Sequence, residues 1–210
     1  MRSIPENSES ILSDKIIGKM MRLAKIIAED NNPCYSRKVG AVIVDRDGII
    51  LGTGFNGPPR KTPHCDSASY IRDILWPKLN QLERAKLASI AYQKECKEED
   101  FEAEKIALRL HGCGQCPRRL LQYSSGVKTE LCSCQHAERN CISNSNSSVR
   151  NGILFGYCNV SCFQCTGAII NAGIREVHFL EGSEYDVGSI ELYRYAKIPI
   201  FLYKEEELKE

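Results

Sequence analysis

The 210-residue chain is long enough for one well-cored domain with a sizeable insertion, and short for two. Its 28 Lys and Arg against 27 Asp and Glu leave a formal net charge of +1, too small a basic surplus for a long nucleic-acid partner. Apolar residues are 42% and charged residues 26%, no run approaches the roughly 18 apolar residues of a membrane span, and MRSIPENSES lacks the layout of a signal peptide, so a cytoplasmic protein with no membrane partner is expected.

In chain order, residues 11–30 place Ile16, Ile17, Met20, Met21, Ala24 and Ile27 at the spacing of an amphipathic helix, closed by NNP at 31–33. VGAVIVDRDGIILGTGFNGPPR then predicts a β-hairpin: a nearly continuous apolar strand, a DRDG turn and a return strand ended by GPPR. From about 71 to 112 the composition shifts to helix formers with mixed charge, which predicts an inserted helical segment with a solvated face. HGCGQCPRRLLQYSSG is a turn-rich connector. NGILFGY predicts a strand, SCFQCTGAIINAG a helix ending at Gly173, REVHFL a strand, VGSIELYRYAK a helix and IPIFLY a last strand, with a frayed tail at about 204–210. Strands alternating with helices predict an α/β sandwich whose later strands are parallel.

Eleven cysteines are a large excess for a cytosolic chain, where clustered cysteines bind metal more often than they form disulfides. Three pairs stand out: Cys113/Cys116, Cys132/Cys134 and Cys162/Cys165, while Cys96, Cys141 and Cys158 fit no ligand spacing and read as small core residues. His136 and Glu138 lie two apart, so they can address one ion only if a helix begins there and presents its first turn end-on. Cys162 and Cys165, three apart, share a face at the start of the next helix, where thiolate is favoured. One His and two Cys make three protein ligands and leave the fourth tetrahedral position open to water, as in a catalytic zinc site. Glu138 is then the proton carrier. H-x-E followed by C-x-x-C is the signature of zinc nucleobase deaminases, with Ser161 here in place of the proline usual before the first cysteine. Serine is a good N-cap, so the helix can still start at 161.

HAERN followed by SCFQC resembles the cytidine and deoxycytidylate deaminase superfamily. CYSRKVGAVIVDRDGIILGTGFNGPPRKTPHCD is similar to the N-terminal hairpin of the deoxycytidylate (dCMP) deaminases, and CPRRLLQYSSGVKTELCSCQHAERN to a bacterial and phage variant with a second zinc. The resemblance covers about 16–203 apart from the insertion. It implies one deaminase domain over 1–210, built as a three-layer αβα sandwich on a mixed five-stranded sheet. It further implies hydrolytic deamination of dCMP to dUMP, with zinc held by His136, Cys162 and Cys165 and Glu138 shuttling protons. Ala137 would offer its backbone N–H to the pyrimidine carbonyl, and Asn56 would bond the sugar. Ser36, Arg37 and Lys38 would gather at the phosphate, with Arg37 the best match to its geometry. Tyr185 would lie near the nucleotide. dCTP or dTTP as effectors and a homo-oligomer are also implied.

By spacing alone, Cys113, Cys116, Cys132 and Cys134 could close a second, structural zinc. The resemblance offers another grouping, in which Cys34 and Cys65 join ligands from the segment before HAE. The competing functions are deamination of another cytosine nucleoside or nucleotide, such as cytidine or dCTP, and a zinc-stabilised binding module without catalysis. Glu138 speaks against the last, because a structural site has no use for a carboxylate beside an open position.

Overall fold

The computed structural model describes residues 2–6, 8–30, 33–98, 101–124, 126–182 and 188–208. The chain divides into two compact units: Met1–Pro33, Lys38–Asn56 and Gln135–Glu210 form the first, and Cys34–Arg37 with Gly57–Cys134 form the second.

The first unit is built on strands β1 (Arg2–Ile4), β2 (Gly40–Val44), β3 (Ile50–Phe55), β4 (Ile153–Tyr157), β5 (Glu176–Leu180) and β6 (Ile200–Tyr203), in the order β1-β6-β5-β4-β2-β3. β4, β5 and β6 run parallel, while β1, β2 and β3 each pair antiparallel with their neighbours. The sheet therefore has six strands rather than the expected five. The sixth is β1, three residues long and cut off by Pro5, too short for any alternation to show in the sequence.

Helix α1 (Asp14–Asp30) covers one face of the sheet. Its stripe of Ile17, Met20, Met21, Ala24 and Ile27 joins Val42, Val44, Ile153, Phe155, Phe201 and Tyr203 in one core. The alternate strand residues Ala41, Ile43, Leu154, Val177, Phe179, Ile200 and Leu202 point the other way, onto a second core with Ala137, Cys141, Ile169 and Tyr193. Those four come from helices α5 (Ala137–Asn144), α6 (Phe163–Ala172) and α7 (Ser189–Tyr195). This is the three-layer αβα arrangement. β2 is buried along its whole length, which is why VGAVIV lacks polar alternation. At Gly40 an added Cβ would fall 2.1 Å from the Ala24 carbonyl oxygen, so only glycine lets β2 meet α1 this closely. Glu205–Leu208, where the sequence leads one to expect fraying, forms a 3-10 turn that buries Leu208 in the α1 core.

The second unit has its own core, including Tyr70, Ile71, Leu75, Leu87, Ile106, Leu110, Leu121 and Leu131. It carries a π-helical turn (Tyr70–Leu75), α2 (Gln81–Tyr92), α3 (Ala103–Leu110) and α4 (Pro117–Leu120). α2 starts at a capping box: the Asn80 side chain accepts from the Glu83 N–H while Glu83 accepts from the Asn80 N–H.

In the first unit, His178 is fully buried and stacked between Phe155 and Phe201, with ring centroids 4.4 and 4.8 Å away. Its Nε2 lies 3.0 Å from Glu176 Oε1 and its Nδ1 2.9 Å from the Tyr203 hydroxyl, contacts that a neutral ring protonated on Nε2 satisfies. Burial lowers the His178 pKa below its ordinary 6.5, although Glu176 pulls the other way. The unfolded chain then takes up this proton more readily than the folded one. Stability is therefore expected to fall as pH drops through about 6.5. Denaturation midpoints at several pH values check this: His178→Gln should flatten that slope, and an unchanged slope would remove His178 as its source.

Candidate active site

His136 is the N-cap of α5, in extended conformation at φ −72 and ψ 154, so Ala137 and Glu138 form the first turn. The expected end-on helix start is therefore present, and it is fixed by the end of β3. Asn140 Nδ2 donates to the Phe55 carbonyl oxygen at 2.8 Å, and the Ala137 N–H donates to Asn56 Oδ1 at 2.9 Å. Gly54 makes this approach possible, since a Cβ there would lie 2.3 Å from both the Ala137 oxygen and the Cys141 nitrogen.

Cys162 is the N-cap of α6, one residue later than the Ser161 cap expected from the sequence, and it makes no side-chain cap hydrogen bond. The helix closes at Gly173, in the left-handed region at φ 78. The two helix starts bring three donor atoms together. His136 Nδ1 lies 3.3 Å from Cys162 Sγ and 3.4 Å from Cys165 Sγ. Among the described residues this is the one group of three or more His, Cys, Asp or Glu whose ligand atoms all fall within 4.8 Å of one another.

Tetrahedral zinc with ordinary bond lengths sets its nitrogen and sulfur ligands about 3.6 Å apart. The observed spacings are within a few tenths of that, so the residues fit the ion. At Cys162 protonation agrees with ligation. The Cys162 thiol is lowered to about 4 by its hydrogen bonds with Cys165 and then His136, against the opposing effect of burial. Cys165 is raised by the same contact with Cys162. Glu138 is 3% exposed, and burial pushes its carboxyl above the usual carboxylate range, with His136 and Arg139 pulling less strongly the other way. A carboxyl that burial shifts toward its protonated form, in the first turn after His136, is suited to carrying a proton.

The other expected site residues are placed unevenly. Asn56 is buried, and its carboxamide oxygen holds the Ala137 N–H that the resemblance reserves for a pyrimidine carbonyl. Lys38 donates to the Glu29 carbonyl oxygen. In the second unit Arg37 is exposed, and Ser36 Oγ accepts from Arg119 Nε at 3.2 Å, an arginine not singled out from the sequence. Tyr185 lies outside the described residues.

Within the second unit the Cys134 thiol hydrogen-bonds Cys132, Cys34 and Cys65. Those contacts lower Cys34 to about 5 and Cys132 to about 6, and lower Cys65 as well, while Cys134 itself is raised. Of the six cysteines considered for a second metal, these four converge. Cys113 Sγ lies instead 3.9 Å from the Gln115 carbonyl oxygen, and burial raises Cys116.

Sequence reasoning missed the hydroxyl contacts behind the C-x-x-C turn. Ser161 Oγ lies 2.8 Å from Thr166 Oγ1 and 2.7 Å from the Tyr193 hydroxyl. It also gave no role to Arg139, whose charge reaches His136, Glu138 and Cys165.

The cytidine and deoxycytidylate deaminase zinc-binding region matches residues 15–181. The chain belongs to this family. It is 23% identical over 184 residues to deoxycytidylate deaminase of Schizosaccharomyces pombe, covering 87% of this chain and 42% of the relative. It is 27% identical over 187 residues to that of Enterobacteria phage T2, covering 87% and 89%. The chain thus spans under half the length of the fission-yeast relative and most of the phage one. Crystal structures of a dCMP deaminase from cyanophage S-TIM5 share the fold. The apo form aligns with TM-score 0.53 at 16% identity, over 91% of this chain and 100% of that one. The form with dCMP and dUMP aligns with TM-score 0.53 at 18% identity, over 91% and 99%. No helix among the described residues is long and apolar enough to cross a membrane.

Proposed function

We propose that this chain is a zinc-dependent deaminase that converts dCMP to dUMP and ammonia. The observation that carries the reading is the His136–Cys162–Cys165 trio with the buried Glu138 in the first turn of the helix that His136 caps, in a chain of this family. The relatives named for dCMP and the hairpin resemblance favour that nucleotide over cytidine or dCTP.

His136 Nδ1, Cys162 Sγ and Cys165 Sγ would hold the ion. Zinc supplies, when bound, a water acidic enough to be deprotonated near neutral pH. Glu138 accepts a proton from the attacking water, delivers it to N3 of the ring, and returns a second one to the amino group at C4. The C4–N bond then breaks, ammonia leaves, and the oxygen stays on the ring as a carbonyl. Burial of Glu138 keeps bulk water from short-circuiting these transfers. Arg37 is proposed to meet the phosphate, in keeping with the resemblance.

A second, structural zinc is proposed on Cys34, Cys65, Cys132 and Cys134, four cysteines gathered around the Cys134 thiol, three of which are lowered toward the thiolate that ligates. The test is ammonia release from dCMP, cytidine and dCTP, with zinc content measured on the same sample. Release from dCMP with about two zinc per chain is the expected result. Zinc without release from any of the three would support the binding-module reading, and zinc near one per chain would remove the second ion.

A further inference from the structure

The proline of the deaminase signature locks the backbone entering the C-x-x-C turn, and this chain has Ser161 there. In its place stands a buried line of hydroxyls. The Tyr193 hydroxyl is 2.7 Å from Ser161 Oγ, Ser161 Oγ is 2.8 Å from Thr166 Oγ1, and Thr166 Oγ1 is 3.4 Å from the Ser161 carbonyl oxygen it donates to. Tyr193 donating to Ser161, Ser161 to Thr166, and Thr166 to the Ser161 carbonyl uses every hydroxyl proton once. Exposure is 2% at Ser161 and 0% at Thr166 and Tyr193, so water cannot replace these bonds cheaply.

The residues bracket the metal ligands: Ser161 immediately precedes Cys162, and Thr166 immediately follows Cys165. Tyr193 comes from a different helix, α7, and its ring is fixed in the core against which α5 and α6 pack. We propose that Tyr193 is a positioning residue, acting through Ser161 and Thr166 to hold Cys162 and Cys165 at the angle that closes on His136. A covalent restraint on the turn is thus replaced by a hydrogen-bonded one anchored in α7. This rests on the trio holding zinc, and zinc bound by the parent chain tests that premise separately.

Tyr193→Phe keeps the ring in the core and removes only the hydroxyl. The measurement is the rate at which a chelator strips zinc, followed by zinc remaining and, on the same samples, by loss of ammonia release from dCMP. Coincidence of the two identifies the ion held by His136. The variant is expected to lose this ion about 10-fold faster or more, with kcat reduced and KM for dCMP unchanged. Stripping at the parental rate, whatever happens to the melting temperature, overturns the proposal. Should Tyr193→Phe fail to fold, Thr166→Ser and Thr166→Val decide. The serine variant is expected to keep the parental stripping rate and the valine variant to lose zinc faster. Equal rates in the two overturn it.

Discussion

Glu138→Gln is expected to lower kcat for ammonia release from dCMP by about 10³-fold or more while zinc content stays at the parental level. The amide keeps the size and hydrogen-bonding reach of the carboxylate but cannot accept and return a proton. The side chain is 3% exposed, so solvent cannot take over the transfer. The donor atoms of the trio belong to other residues, so ligation is untouched. Steady-state kinetics with metal analysis check both halves. Near-parental turnover by this variant would falsify the role given to Glu138. Loss of zinc together with activity would instead make it a structural support of the trio.

Gly54→Ala should cost about 3 kcal/mol or more of stability and loosen the zinc along with it. The new Cβ would stand 2.3 Å from the Ala137 oxygen, 2.3 Å from the Cys141 nitrogen and 2.8 Å from the Cys141 Cα. All three are main-chain atoms of α5, so relief requires the helix itself to retreat. The helix that retreats begins at His136. Gly167→Ala, inside α6, is the contrasting case: nothing lies within 4 Å of its Cβ position, and alanine there should gain about 0.5–1 kcal/mol. Denaturation midpoints of both variants, with zinc content, decide the matter. A Gly54→Ala protein as stable as the parent would mean that α5 is not pinned by β3.

What the sequence made legible was local. Ile17, Met20, Met21, Ala24 and Ile27 recur at helical spacing, and the same residues form α1's buried stripe. His136 with Glu138, and Cys162 with Cys165, carry their chemistry in their spacing, because each pair begins a helix. What was hidden depends on residues far apart in the chain. Spacing alone groups Cys113 and Cys116 with Cys132 and Cys134, and only the resemblance brings in Cys34, whose thiol lies in reach of Cys134 about a hundred residues later. Ser161 looked like a helix cap because its neighbours in sequence allow one. Its hydroxyl is spent instead on Tyr193, 32 positions away. β1 escaped notice because three residues carry no measurable period, and its existence rests on a partner at 200–202.

The hydrogen bonds that α5 donates to Phe55 and Asn56 tie the chemistry to the register of the β2–β3 hairpin. Residues opposite one another in β2 and β3 are set by the tight Asp45–Ile49 connection, where Asp45 Oδ1 accepts from the Asp47 and Ile49 N–H groups. Slipping that register by one residue would turn every later position of β3 to the opposite side of the sheet. A bulky side chain would then arrive where Gly54 now clears the helix, and the carboxamide of Asn56 would face away from Ala137. A one-residue slip within the hairpin would thus disarm the trio without altering any residue that belongs to it.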